Sequence, residues 1–144
     1  QFHLVGGIDP NPNAIGEDEL ASWQENGTII WHGEQADVRP FLANCHVYVL
    51  PSYREGTPRT VLEAMATGRP VITTDAPGCR ETVVPNVNGL LVPPGQVAPL
   101  AYAMRTLIEN PAKVRLMADA ALSIVEKRYA ADKVASTMLA AMGA

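Results

Sequence analysis

The sequence is short of cysteine, of aromatic residues, of basic surplus and of long apolar runs, and most of these shortages close off a class of function. Its two cysteines, Cys45 and Cys79, lie far apart and form no Cys-x-x-Cys pair. They frame neither a disulfide scaffold nor a zinc site, and two incidental thiols suit a reduced, cytoplasmic protein. His3, His32 and His46 are scattered, without the spacing of metal ligands, so no metal is expected. Lys and Arg number 11 against 15 Asp and Glu, a formal net charge of −4. Nucleic-acid binders carry a clustered basic face, so DNA and RNA are not expected partners. No apolar stretch approaches the roughly 20 residues that cross a bilayer as a helix. The first residues show no basic start and no signal-peptide pattern. No internal repeat, low-complexity tract or Ser/His/Asp or Cys/His grouping stands out.

What is present is one domain's worth of chain, 144 residues at 47% apolar content, enough to bury a real core. Short apolar runs recur at Phe2–Val5, Thr28–Trp31, Val47–Leu50, Pro70–Thr74 and Gly89–Val92. They are largely unbroken rather than alternating, as in strands covered on both faces. Between them the pattern turns helical over Asp18–Asn26, Val38–Asn44 and Pro58–Thr67. Gly27 and Gly68 serve as stops, Thr57 as an expected cap, and Pro58 as the first helical residue. Beyond Val92, three helices are expected over Gln96–Asn110, Ala112–Tyr129 and Ala131–Met142. Stripes such as Leu100, Met104, Leu107 and Ile108 are read as core-facing positions. Strands alternating with helices predict an α/β fold, Rossmann-like, with a mostly parallel sheet, helices on both faces and a C-terminal helical segment.

Chemistry concentrates between Val47 and Gly95. A strand runs into the loop Pro51–Thr57 and then into a helix, placing that helix's N-terminus at the carboxyl edge of the sheet, where open α/β folds bind ligands. The first N–H groups of a helix are unpaired and sit at the positive end of its dipole, so they attract a phosphate. Gly56 allows close backbone approach or an unusual φ there. Glu55 precedes the helix and Glu63 lies five residues past Pro58, roughly 7–8 Å along the axis. Ionised carboxylates accept hydrogen bonds and suit vicinal hydroxyls. A phosphate site between two such carboxylates has the layout of a sugar–diphosphate–ribose ligand. Spacing alone fits a loop charge and a solvated helix residue better. Arg59, in the first turn, reads as a phosphate neutraliser or as a solvated arginine. Arg80, beside Glu81, reads as a pyrophosphate or sugar contact or, in the favoured reading, as an exposed ion pair.

The residues around the two glutamates shift the balance. The run from Pro51 to Ile72, with Glu55 and Glu63 separated by seven residues, then Glu63-Ala64-Met65-Ala66, Gly68 and Pro70-Val71-Ile72, resembles the signature of glycosyltransferase family four. Pro77–Val83 and Asn88–Pro94 match the same pattern in order. The resemblance covers roughly residues 1 to 130 and implies half of a GT-B fold, with its first strand missing. It implies that residues 1–144 are the nucleotide-sugar-binding domain of a larger, two-domain, retaining enzyme that needs no metal. By position, Glu55 is similar to the residue that holds the donor sugar near the reacting carbon, and so is the catalytic candidate. Gly56, Thr57, Pro58, Arg59 and Thr60 would face the sugar and diphosphate, Glu63 the ribose, and His32, Gly33 and Glu34 the base.

The donor substrate implied is a nucleotide diphosphate sugar, most commonly a UDP-sugar in this group. The acceptor is a glycan or lipid-linked molecule in polysaccharide or glycoconjugate biosynthesis, held by an N-terminal domain. That implies cytoplasmic work, with peripheral attachment to the inner face of the membrane. Two expectations follow from the absent first strand: the sheet should show a gap or an unusual pairing, and exposed edges should favour a homodimer. The isolated chain should lack transferase activity. Two alternatives compete with this reading, a stand-alone nucleotide-sugar-binding regulatory module and a nucleotide-sugar epimerase. The epimerase would need a catalytic constellation that this chain does not show.

Overall fold

The computed structural model describes residues 1–11 and 14–142; residues 12, 13, 143 and 144 of the expected 1–144 span lie outside the described part. The chain divides into two compact units, Gln1–Pro40 and Phe41–Ala144.

The first unit holds β1 (His3–Leu4), α1 (Glu17–Glu25) and β2 (Ile30–Trp31). β1 and β2 pair in parallel, His3 with Ile30 and Leu4 with Trp31. Leu20 is the buried residue of α1. Gly27, with φ of +76°, ends that helix as expected, in the left-handed region where a side chain is strained. Trp31 ties the unit together, taking Gln24 Oε1 on its backbone N–H at 3.0 Å and donating its indole N–H to the Gly6 carbonyl at 2.9 Å. α2 (Arg39–Asn44) carries the chain into the second unit.

The second unit is built on a parallel sheet of β3 (Tyr48–Leu50), β4 (Val71–Thr74) and β5 (Gly89–Val92), in the order β3-β4-β5. Its helices are α3 (Arg59–Ala66), α4 (Val97–Ile108), α5 (Pro111–Arg128) and α6 (Ala131–Met142). β4 is fully buried, which accounts for its unbroken apolar run. Its alternate residues feed two cores. Val71 packs with Val61, Met65, Val83 and Ala121, while Ile72 packs with Val92, Ala103, Leu107 and Met117. Burying each large aliphatic side chain of these clusters is worth about 1.5–3 kcal/mol. Ile108, expected on the core-facing stripe of α4, is 66% exposed as the last residue of the helix, while its neighbour Leu107 is buried in the core. All six helices fall where the sequence places them, to within two residues at either end.

The five strands thus form two sheets rather than one. Numbered as in a doubly wound sheet of order 3-2-1-4-5-6, the pairs found are 3-2 and 4-5-6.

Candidate functional site

At the carboxyl edge of the three-stranded sheet, residues 51–58 lead from β3 into α3. Two anchors shape this loop. The Glu55 N–H donates to the Pro77 carbonyl at 3.1 Å. Behind it lies Gly78, at φ +86°, where an added β-carbon would stand 1.9 Å from the Gly56 oxygen and 2.2 Å from the Glu55 oxygen. Only glycine lets the two loops approach this closely. Gly56 itself has no positive φ, so the unusual conformation allowed for it is not used. A β-carbon at position 56 would meet open space, which leaves the backbone accessible from the front.

Glu55 is half-buried, and the Ser52 hydroxyl donates to its Oε1 at 2.6 Å. The bond fixes one carboxylate oxygen and leaves the other lone pairs free to accept. Glu63, also half-buried, is the fifth residue of α3. The Tyr48 phenol, on β3, is half-buried. Burial pushes its pKa up, a hydrogen bond with Thr60 opposes this, and the charges of Glu63 and Glu55 add to the rise. The charges of both glutamates are thus felt at one hydroxyl, although the two stand eight positions apart in the sequence. Tyr48 and Ser52 were not singled out in the sequence. Their signals were slight: one phenol in an otherwise aliphatic strand, and a serine three residues before Glu55.

The helix start differs from expectation. α3 begins at Arg59, and Pro58 rather than Thr57 occupies the N-cap, without a side-chain capping bond. The reason is conformational: buried Pro58 lies in the extended region at φ −68° and ψ 106°, so helical geometry begins one residue later. The Pro58 carbonyl accepts from Val61 and Leu62 at 3.1 and 3.3 Å. The N–H groups of Arg59 and Thr60 make no backbone bond among the described residues, and they stand at the positive end of the helix beside Gly56 and Thr57. Arg59 is exposed, and among the described residues it makes no ion pair.

Arg80 does form an ion pair, but with Asp75 at 2.9 Å rather than with Glu81. Glu81 instead accepts the Gly78 N–H at 2.8 Å. Adjacent residues in this turn point apart, so each finds its partner across the loop. The pair leaves Arg80 satisfied and steadies the turn that backs Glu55.

In the first unit, His32, Gly33 and Glu34 follow β2 directly. His32 Nε2 and His3 Nδ1 share a 2.9 Å hydrogen bond, and the two rings stack at 5.2 Å. Much of the backbone here is already committed: the His32 N–H donates to Leu4, the Gly33 carbonyl accepts from Gly6, and the His32 carbonyl accepts from Gln35. Gly33 turns the chain at φ +65°.

Comparison with known proteins supplies the family. Residues 1–110 match the family model described as "Glycosyl transferases group 1". The chain belongs to the group 1 glycosyltransferases. Over 115 residues it is 36% identical to N,N'-diacetylbacillosaminyl-diphospho-undecaprenol alpha-1,3-N-acetylgalactosaminyltransferase of Campylobacter jejuni, covering 80% of this chain and 29% of that protein. It is 32% identical over 107 residues to the capsular polysaccharide biosynthesis glycosyltransferase CapM of Staphylococcus aureus, covering 74% of this chain and 28% of that protein. Among solved structures it resembles Anabaena Alr3699/HepE in complex with UDP, with a TM-score of 0.83, 26% identity, 98% of this chain and 40% of that one covered. The same Anabaena protein is known in complex with UDP-glucose, at a TM-score of 0.78, 27% identity, 98% of this chain and 40% of that one covered. This group 1 glycosyltransferase chain therefore spans less than a third of the length of these two relatives. Among its described residues no helix is long and apolar enough to cross a membrane.

Proposed function

We propose that this chain is the donor-binding domain of a retaining, family-four glycosyltransferase of GT-B fold, and that its donor is a UDP-sugar. The observation that carries this reading is the junction of β3 and α3. There Glu55, held by Ser52 and backed by Gly78, precedes an uncapped helix start, and Glu63 follows one turn later.

In this reading the diphosphate lies on the N–H groups of Gly56 to Thr60, where the helix dipole and Arg59 offset its charge. Glu63 takes the ribose hydroxyls, and Glu55 the hydroxyls of the sugar beside the reacting carbon. The base lies against His32, Gly33 and Glu34. Because the backbone groups of His32 and the Gly33 carbonyl are already bonded, base contacts fall to the Gly33 N–H and the Glu34 backbone. Transfer breaks the bond between the anomeric carbon and the diphosphate oxygen, and forms one to an acceptor hydroxyl on the same face. The leaving diphosphate is stabilised by the same fixed dipoles and no metal is required.

The acceptor is a glycan or lipid-linked molecule bound by an N-terminal domain of the whole enzyme, which works at the cytoplasmic face of a membrane. Without that domain the chain binds donor but does not transfer. Self-association through the open edges of β1 and β3 would accompany the isolated chain. Support comes from relatives named as an N-acetylgalactosaminyltransferase and as a capsular polysaccharide biosynthesis glycosyltransferase, and from the UDP and UDP-glucose complexes of a similar structure. The test is binding of UDP and UDP-sugars by wild type and Glu55→Ala. Weakened UDP-sugar binding with UDP unchanged is expected; equal loss for both ligands would overturn the assignment of Glu55 to the sugar.

A further inference from the structure

A concavity opens beside the loop that carries Glu55. It has a volume of about 230 Å³ and is walled by Pro51 and Tyr53 after β3, Pro93 and Gly95 after β5, and Gln96 and Val97 at the start of α4. Pockets for drug-sized ligands run to roughly 300–1,000 Å³, so this one has room for a ring-sized group and not for a nucleotide. Tyr53 is 77% exposed and Val97 81% exposed, yet both face a shared hollow. The Tyr53 ring lies against Gly95, whose φ is +71°; a β-carbon there would stand 3.2 Å from the ring. Glycine thus lets the ring lie beside the β5–α4 turn. Gln96 occupies the N-cap of α4 without a side-chain capping bond, so its carboxamide, with two donors and an acceptor, is not spent on the helix.

The chemistry of this wall is narrow. A phenol face, two prolines and a valine suit flat C–H surfaces, which meet the negative face of an aromatic ring favourably. The phenol hydroxyl and the Gln96 carboxamide at the rim suit hydroxyls. A pyranose ring has both, with apolar C–H faces and a hydroxylated edge. A lipid chain or an apolar peptide would leave the rim unpaired, and no charged side chain lines the hollow to hold a phosphate. Position points the same way. Tyr53 stands two residues before Glu55, at most about 7 Å along the chain. A ring in the hollow would therefore neighbour the sugar that Glu55 holds, while lying outside the α3 phosphate site.

We infer that this groove is a saccharide subsite that takes one further pyranose ring of an acceptor glycan whose reacting end the N-terminal domain holds. The inference rests on the reading of Glu55 as the donor-sugar carboxylate. Its test is amide chemical-shift titration of the protein with methyl glycosides of hexoses and N-acetylhexosamines, and separately with UDP and UDP-sugars. Saturable shifts at Tyr53, Gly95, Gln96 and Val97 with a methyl glycoside are expected, and UDP should leave those residues unmoved while shifting Thr60 and Glu63. Tyr53→Ala should weaken glycoside binding about tenfold, the scale of losing one stacked ring, and Tyr53→Phe should largely restore it. In transfer assays on the whole enzyme, Tyr53→Ala should raise KM for the acceptor and leave KM for the donor unchanged. No glycoside shifts at these four residues, while UDP still binds, would overturn the inference and leave the donor site standing. Glycoside shifts without any nucleotide binding would sink the donor-site reading and keep the groove as a sugar site. Shifts there only with a UDP-sugar would assign the groove to the donor and overturn its acceptor role.

Discussion

Gly78 sits directly beneath Gly56, so close that a β-carbon on the first would come within 1.9 Å of the carbonyl oxygen of the second. The loop bearing Glu55 is thus shaped from behind by a residue 23 positions away in sequence, and the turn carrying it is steadied by the Arg80–Asp75 ion pair. Gly78→Ala should destabilise the protein by about 1–3 kcal/mol through its left-handed backbone alone. It should also displace Glu55 and Gly56, so sugar-nucleotide affinity falls more than stability requires. Urea denaturation reads the first effect. Titration well below the unfolding midpoint reads the second.

Ser52 gives the finer control on the same loop. Its hydroxyl holds Glu55 Oε1 at 2.6 Å, and a hydrogen bond to a charged group is worth about 1.5–3 kcal/mol. Ser52→Ala should leave the fold intact and weaken binding of a UDP-sugar, with UDP itself little affected. Calorimetry on the two ligands checks this; an unchanged UDP-sugar affinity would show that Ser52 does not orient Glu55 for binding.

Asn88 is the structural counterpart. It is fully buried, accepts the Val84 N–H at 2.7 Å and donates to the Thr82 carbonyl at 3.1 Å. Asn88→Ala would strand the buried Thr82 carbonyl at about 1–3 kcal/mol and remove the partner of the Val84 N–H. A large drop in the denaturation midpoint is expected, with unfolding as the readout and no ligand required.

Tyr48 links stability to pH. Burial raises its phenol above the ordinary value of 10.0, assisted by the charges of Glu63 and Glu55 and opposed by Thr60. The folded chain therefore holds this proton more tightly than the unfolded chain. Its contribution to stability is complete below about pH 10 and is lost as pH rises through the folded-state value. Tyr48→Phe should flatten that alkaline loss. The ultraviolet difference titration between the two proteins should place the Tyr48 phenolate midpoint above 10.0.

Much of this was legible in the sequence because local signals carried it. Apolar runs located the strands, and Gly27 and Gly68 marked helix ends. The motif around Glu55 and Glu63, rather than their spacing, marked the glutamate pair, and a gap in the sheet was an expectation that the two separate sheets β1-β2 and β3-β4-β5 meet. What escaped depends on contacts across loops. Arg80 chose Asp75 over its neighbour Glu81 because the turn points adjacent side chains apart. Pro58 displaced Thr57 from the cap through its own ψ. Ser52, Tyr48 and Gly78 acquired meaning only when β3, α3 and the β4 loop came together, since nothing in their spacing announces a partner.

The central claim is that Glu63 and the start of α3 bind a nucleoside diphosphate. The most direct measurement is calorimetric titration of the protein with UDP, for wild type and Glu63→Ala. Saturable binding to wild type, weakened by about 1–3 kcal/mol in the variant, is the predicted result. Wild-type binding that Glu63→Ala leaves unchanged would contradict the account.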